Sequence, residues 1–436
     1  MERIDNLDRQ ILEIISQNAR IPFKDVAAEC GVSRAAIHQR VQRLIDLGVI
    51  VGSGYHVNPK SLGYRTCTYV GIKLEKGSMY KAVVAEARFM RALSYFYLVR
   101  MYGDIPYVTN SSEAIEYQPR TAVADIYNKI IVPDLIEACA SLPTVSRSGF
   151  SSTPSQWAAK ALLSDVYMTM AGWPLKLGKE YYAKAAEVSL DIIEHSGLSL
   201  TPVYGDLWKE AKKEEANEHL FAIHNSVANK VASQYGKSFY PRDYVKAGWA
   251  DYYANPDYMA TYPEGARKEF NYMTEWPTAT GTTVKWQDSQ DGYPCIAKYQ
   301  DYNQGVAGNS AQSNGITPIY RYADVLLRYA EASNLATGNV NATALKCLQD
   351  IQTRAGVSTL TTTTNSEEFD KAVFAERGYE FLAEYKRWFD LVRREKVSEF
   401  KSKYYPSSLM KANSHYYFPI PSTQIKLAGW TNNAGY

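Results

Sequence analysis

The chain has 436 residues, enough for two or three domains, with 46% hydrophobic and 22% charged residues and a formal net charge of +2. That balance excludes a disordered chain and a molecule that is polyanion-seeking as a whole, and no run is apolar enough to cross a bilayer as a helix. Five cysteines, at 30, 67, 139, 295 and 347, lie too far apart for a zinc site and are too few for a disulfide framework.

The chain opens MERIDNLDRQ, with no apolar stretch behind its charges. It therefore reads without a secretory signal, and as written is expected to stay in the cytoplasm. Residues 5–16 then place Leu7, Ile11, Ile14 and Ile15 at helical spacing. Pro22 opens a second segment with Phe23, Val26 and Ala27, and Gly31 can supply the positive φ of a tight turn. Ser33 is a natural N-cap for a third helix running to about Leu47, whose apolar stripe is Ile37, Val41, Leu44 and Ile45. Its other face carries Arg34, His38, Gln39, Arg40 and Arg43. Two short helices joined by a glycine turn, the second rich in long polar donors, follow helix-turn-helix logic. Arg and Gln are side chains that reach guanine and adenine edges. Residues 1–86 hold 12 Lys+Arg against 9 Asp+Glu, an excess that permits nucleic-acid binding without demanding it. In isolation, a basic helix face is more often simply solvated.

Beyond Glu86 the pattern is helical. Phe89, Ala92, Leu93, Phe96 and Tyr97 line one face, and Gly103 and Pro106 end that helix. Further helices are predicted at about 121–141, 154–172 and 179–195, with small residues at Ala158, Ala159, Ala161, Ala183, Ala185 and Ala186 that suit closely stacked hairpins. Near the end, Tyr322, Val325, Leu326, Tyr329, Ala330 and Ser333 form another stripe closed by Gly338, with 344–356 as its partner helix. A longer helix is predicted from Thr364, with Glu367 completing a capping box. Phe374, Phe381, Leu382, Tyr385, Trp388, Phe389 and Val392 repeat along it, while Glu376, Arg377, Glu380, Glu384, Arg387, Asp390 and Arg394 fall mainly on other faces. Local ion pairs, Glu384 with Arg387 or Asp390 with Arg394, are expected there as scaffold.

Between 235 and 302 periodicity fades and 11 Tyr and 3 Trp appear among Gly, Pro, Asp and Asn. Loops on a rigid scaffold are where binding residues gather, and exposed Tyr and Trp bring apolar faces with polar tips. Trp249, Tyr252, Tyr253, Tyr258, Trp276, Trp286 and Tyr293 are the candidate ligand-binding residues, set against the plain alternative that most of them pack the insertion. No catalytic group is expected: His219 and His224 share no helical face with a third ligand, Glu214 and Glu215 diverge, and there is no phosphate loop or nucleophile elbow. Neither a metal site nor a cofactor is implied.

Two family resemblances attach to these segments. LDRQILEIISQNARIPFKDVAAECGVSRAAIHQRVQRLIDLGVI resembles the winged helix-turn-helix of Lrp/AsnC regulators, GSGYHVNPKSLGY that family's wing and hinge, and TCTYVGIKLE the first strand of its effector domain. It implies DNA binding by residues 1–62, through Ser33, Arg34, His38, Gln39, Arg40 and Arg43. AEARFMRALSYFYLVRMYGDIPYV, SQWAAKALLSDVYMTMAGW, RYADVLLRYAEA, AERGYEFLAEYKRWFDLVR and FPIPSTQIKLAGWTNNAGY resemble signature stretches of SusD/RagB proteins, in family order. This second resemblance implies a mostly α fold of tetratricopeptide-like stacked hairpins with a large irregular insertion. It also implies a non-catalytic outer-membrane lipoprotein that captures oligosaccharide or peptide as partner of a SusC-like TonB-dependent transporter.

The expected organisation is a winged helix-turn-helix over 1–62, a remnant effector strand and junction over 63–86, and a SusD/RagB-like domain over 87–436 that lacks its opening part. The resemblances demand different compartments, no flexible linker separates them, and the string AE at 85–86 suits both families. A chimeric chain joined near Ala85-Glu86 is the expectation. Nutrient capture by the body, DNA binding by the head alone and a fused ligand sensor stay open as functions.

Overall fold

The computed structural model describes residues 5–17, 21–47, 49–50, 78–108, 118–213, 215–299, 312–399 and 415–436. The chain divides into two compact units, 1–73 and 74–436. The expected wing, hinge and effector strand lie outside the described residues.

In the first unit, α1 (Asn6–Gln17), α2 (Phe23–Cys30) and α3 (Arg34–Asp46) close around Ile11, Val26, Ile37 and Leu44, all fully buried. Gly31 caps α2 in the left-handed region at φ 66°, and the Ser33 hydroxyl accepts from the Ala36 amide at 3.2 Å to start α3. The apolar stripe is one residue narrower than expected, since Ile45 is 44% exposed.

The second unit is a stack of helix hairpins. α4 (Ser78–Tyr102) packs on a helical stretch made of α5 (Val123–Ile126), a π-helical turn Tyr127–Ile131 and α6 (Val132–Ser141). Then α7 (Gln156–Ala171) pairs with α8 (Lys179–His195). That pair is close because small residues face each other: the Ser164 hydroxyl donates to the Ala185 carbonyl at 3.0 Å and lies 2.6 Å from the Ser189 hydroxyl. α12 (Tyr322–Thr337) packs on α8, on α13 (Ala342–Arg354) and on α14 (Ser366–Glu380). Phe89, Phe96, Leu162, Val325, Leu348, Phe369 and Val373 share one continuous core. Among the described residues no helix is long and apolar enough to cross a membrane.

Two ladder-like pieces frame this stack. β1 (Ile105–Pro106) pairs antiparallel with β2 (Arg120–Thr121), where Arg120 donates to the Tyr102, Asp104 and Thr431 carbonyls and to Asn433, pinning the C-terminal tail that carries α16 (Ser422–Ala428). Between α8 and α12 runs the insertion. It opens with β3 (His219–His224) and closes with β8 (Ile316–Arg321), its antiparallel partner. Inside it lie the short helices α9 (Tyr235–Phe239), α10 (Pro256–Ala260) and α11 (Ala266–Asn271). Two ribbons complete it, β4 (Tyr272–Met273) with β7 (Cys295–Ile296) and β5 (Glu275–Pro277) with β6 (Thr283–Lys285).

The C-terminal helix departs from expectation. Its cap is Asn365, whose side chain accepts from the Glu367 and Glu368 amides, rather than Thr364. The helix also stops at Glu380, the chain turns through Ala383 and Tyr385 at φ 60°, and α15 (Arg387–Arg393) starts afresh. The turn lets Asp390 meet Arg377 at 3.0 Å, whereas in one straight helix they would sit about 20 Å apart along the axis.

Candidate functional site

The aromatic insertion is held to the hairpins by charge. Arg267 meets Glu376 and Glu380 at 2.6 and 2.9 Å, and Lys298 meets Glu384 at 2.7 Å. Arg321 binds Glu218, Glu380 and Glu384 at 2.6–2.9 Å, and Arg354 binds Glu218 and Glu380 at 3.0 and 2.5 Å. Four cations thus face four carboxylates, and every one of these side chains is at most 4% exposed. Burial alone would push the carboxyls up, yet the neighbouring cations prevail: Glu384 is held down at about 2 and Glu380 lower still. A second buried group joins Glu331 to Arg393 and Arg394, and Asp390 to Arg377. In place of the local pairs expected along the last helix, Glu384 meets Lys298 and Arg321, and Asp390 meets Arg377 and, within its own helix, Arg393 at 2.7 Å; Glu376, Arg377, Glu380, Glu384 and Asp390 are interior rather than surface residues.

On this base rings of the insertion, with Trp208 before it and Tyr385 from the turn after α14, form a packed series running outward. Trp208 meets Tyr299 edge-on at 5.5 Å, and Tyr299 stacks on Phe239 at 5.7 Å. From there Phe239 reaches Tyr252 at 5.2 Å, while Tyr299 reaches Tyr235 at 5.4 Å and Tyr235 reaches Tyr385 at 5.6 Å. The inner rings are buried or half-buried, whereas Tyr252 and Tyr385 are about half exposed. Beside them Trp249 and Tyr253 are each 41% exposed, and Tyr253 packs against Tyr293 at 4.8 Å. Arg242 holds the Asp291 carboxylate at 2.7 Å next to that pair. Rings fixed from behind and open in front can stack on the apolar face of a flat ligand.

Of the seven aromatic candidates, Trp249, Tyr252 and Tyr253 are exposed, and Tyr293 is half-buried against Tyr253. Trp286 is half-buried in a cluster with Tyr240 and Cys295, and Tyr258 is wedged among Tyr262 and Tyr379 with its hydroxyl sealed from solvent. Trp276 needs correction. It is 1% exposed and its indole N–H donates to Asp243 at 2.9 Å, so it packs the insertion and presents no surface. Tyr385 joins the group unforeseen, because its place in an apolar helical repeat hid the turn that swings it outward.

In the first unit, Ser33, Arg34, His38 and Gln39 lie exposed on α3, with His38 edge-on to Phe23. Arg40 and Arg43 reach inward instead, to the buried Asp8 carboxylate at 2.8 and 2.6 Å. These two arginines, expected on the DNA-facing side of α3, tie it to α1 while their side chains stay 31% and 38% exposed.

Comparison with known proteins fits this geometry. Residues 223–436 match the SusD family, and residues 64–168 match a SusD-like family described as starch-binding and associating with the outer membrane. A solved SusD superfamily protein from Parabacteroides distasonis shares the fold at a TM-score of 0.73 and 29% identity, covering 87% of this chain and 82% of that one. The body of this chain belongs to the SusD family. A relative, the SusD-like protein P2 of Formosa agariphila, is 28% identical over 81% of this chain and 74% of its own length. The SusD body is preceded by an AsnC-type helix-turn-helix domain, matched over residues 4–45. The AsnC regulatory protein of Escherichia coli is 41% identical over 19% of this chain, which spans only 55% of that regulator. The mostly helical fold with hairpin stack and insertion is thus the SusD fold, and the exposed rings sit on the part of it that the hairpins do not form.

Proposed function

We propose that the SusD body captures a glycan non-catalytically through Trp249, Tyr252, Tyr253, Tyr293 and Tyr385, at the outer membrane, as partner of a SusC-like TonB-dependent transporter. The observation that carries this reading is the ring series, buried at Trp208 and Tyr299 and open at Tyr252 and Tyr385. Stacking rings fixed in place lose little entropy when a sugar docks. Titration of a panel of neutral oligosaccharides into the full chain tests it. Tyr252→Ala and Tyr385→Ala should each weaken binding about tenfold, the loss of one stacked ring. Unchanged affinity in both variants refutes it.

A second reading rests on α3. Its exposed Arg34, His38 and Gln39 suit contact with base edges, with Ser33 at the helix start near a phosphate. DNA binding by the head of AsnC type is the alternative function, and a gel shift at low salt that shows no retardation would end it.

The two activities belong to different compartments, and we read the chain as a chimera of a regulator head over 1–62, a junction over 63–86 and a SusD domain from 87. In support, Ala85 and Glu86 lie inside the unbroken helix α4. Amplification across the join from source DNA tests whether one molecule carries both parts.

A further inference from the structure

At one edge of the hairpin stack, the α6–α7 loop, the end of α8 and the start of β3 enclose a cleft of about 440 Å³. A second cleft of about 220 Å³ shares Gly149, Phe150, Ser151, Asn217 and His219 as walls. None of the exposed rings between 249 and 293, nor Tyr385, lines either cleft. The larger volume lies in the range of small-ligand sites.

The walls have a consistent chemistry. Phe150, on the shared wall, is 50% exposed although it belongs to a loop tied on both sides: the Ser146 hydroxyl donates to its carbonyl at 2.8 Å. Ser151 and His224 lie 2.9 Å apart, side chain to side chain, with the His224 ring tilted against Phe150 at 6.3 Å. The Asn217 amide nitrogen donates to the Gly197 carbonyl, which fixes the direction of its carboxamide. Glu215 pairs with Lys212, and the Lys213 ammonium donates to the Asn314 carbonyl at 2.6 Å. His219 is 7% exposed, and burial pushes its pKa down to about 3, so the ring is neutral at physiological pH. An apolar ring face bordered by hydroxyl, carboxamide and imidazole groups complements a molecule with apolar C–H faces and many hydroxyls.

We propose that these joined clefts are a second binding site of the body, taking a neutral saccharide that stacks on Phe150 and hydrogen-bonds Ser151, Asn217 and His224. The site is independent of the exposed rings of the insertion, and its test is built to keep the two apart.

The full chain carrying Trp249→Ala, Tyr252→Ala and Tyr385→Ala together serves as background. Maltoheptaose, laminarihexaose, cellohexaose and xylohexaose are each titrated into it at millimolar concentration by calorimetry. At least one of the four should still bind, with one site per chain. Adding Phe150→Ala should weaken that remaining binding about tenfold, while Phe150→Tyr, which keeps the ring, should retain it. Phe150 is half exposed, so neither change touches the core, and an unchanged circular dichroism melt checks this. The proposal is overturned if the background binds none of the four, or if Phe150→Ala leaves the affinity as it was. Loss of all binding in the background alone would leave the insertion site standing, whereas loss through Phe150→Ala in the parent chain, with the triple variant binding normally, would remove the insertion site instead.

Discussion

Replacing Arg321 with methionine should destabilise the body more than any surface change of similar size. The guanidinium is 0% exposed and meets Glu218, Glu380 and Glu384. Its removal leaves three cations, Arg267, Lys298 and Arg354, against four carboxylates in the same enclosed space. Taking one partner from a buried ion group leaves an uncompensated charge, with a loss of about 3–5 kcal/mol. The loss has a signature in pH. In the parent the Glu380 and Glu384 carboxyls are held far below their usual range by the cations, so these two stay charged down to low pH. In the variant one of them can take up a proton and restore balance as the pH falls toward 5. The difference in stability between parent and variant should therefore shrink from pH 7 to pH 5. Arg321→Met combined with Glu380→Gln should recover part of the loss, because three cations then face three carboxylates. Urea unfolding followed by circular dichroism measures each. A loss under about 1 kcal/mol at pH 7, or a loss identical at both pH values, would refute the balance of charge as the reason these residues are buried.

Other outcomes follow from the same geometry. Glu384 and Glu331 are each held at about 2, below the ordinary 4.5, so their pairs contribute stability that is complete above pH 4.5 and disappears as the pH falls toward 2; an acid titration of the melting temperature should show that decline. Ser164→Val should cost about 1–3 kcal/mol, since the branch has no room between α7 and α8 and the bond to the Ala185 carbonyl is lost, as chemical unfolding would show. In the head, Asp8→Ala removes the carboxylate that joins α1 to Arg40 and Arg43, and should lower the stability of the head by about 1–3 kcal/mol without changing the melt of the body.

Much of the molecule was legible before any coordinates. The helices at 156–171, 179–195, 322–337 and 342–354 fall where the 3.6-residue repeat placed them, because a helix buries one face and its sequence must show that face. Ser33 and Gly338 were readable as a cap and a stop because capping is a local exchange between a side chain and neighbouring backbone. Trp276 and Tyr252 were indistinguishable by contrast, two aromatics in a Tyr-rich stretch without period. Only the Asp243 carboxylate waiting for the Trp276 indole, and the Phe239 ring behind Tyr252, separate the sealed one from the open one.

The sequence by itself determined the two-part composition of the chain, the hairpin stack and the place of the irregular insertion, since each depends on residues a few positions apart. What the tertiary structure decided is the fate of the charges and of the exposed rings. Arg321 reaches partners 103, 59 and 63 residues away, Arg40 and Arg43 turn back to Asp8, and Asp390 folds onto Arg377. The turn at Ala383 and Tyr385 that allows this last contact also brings the Tyr385 ring to the surface. An ion pair fixes no local spacing, so its partners, and every side chain they redirect, become visible only when the chain is folded.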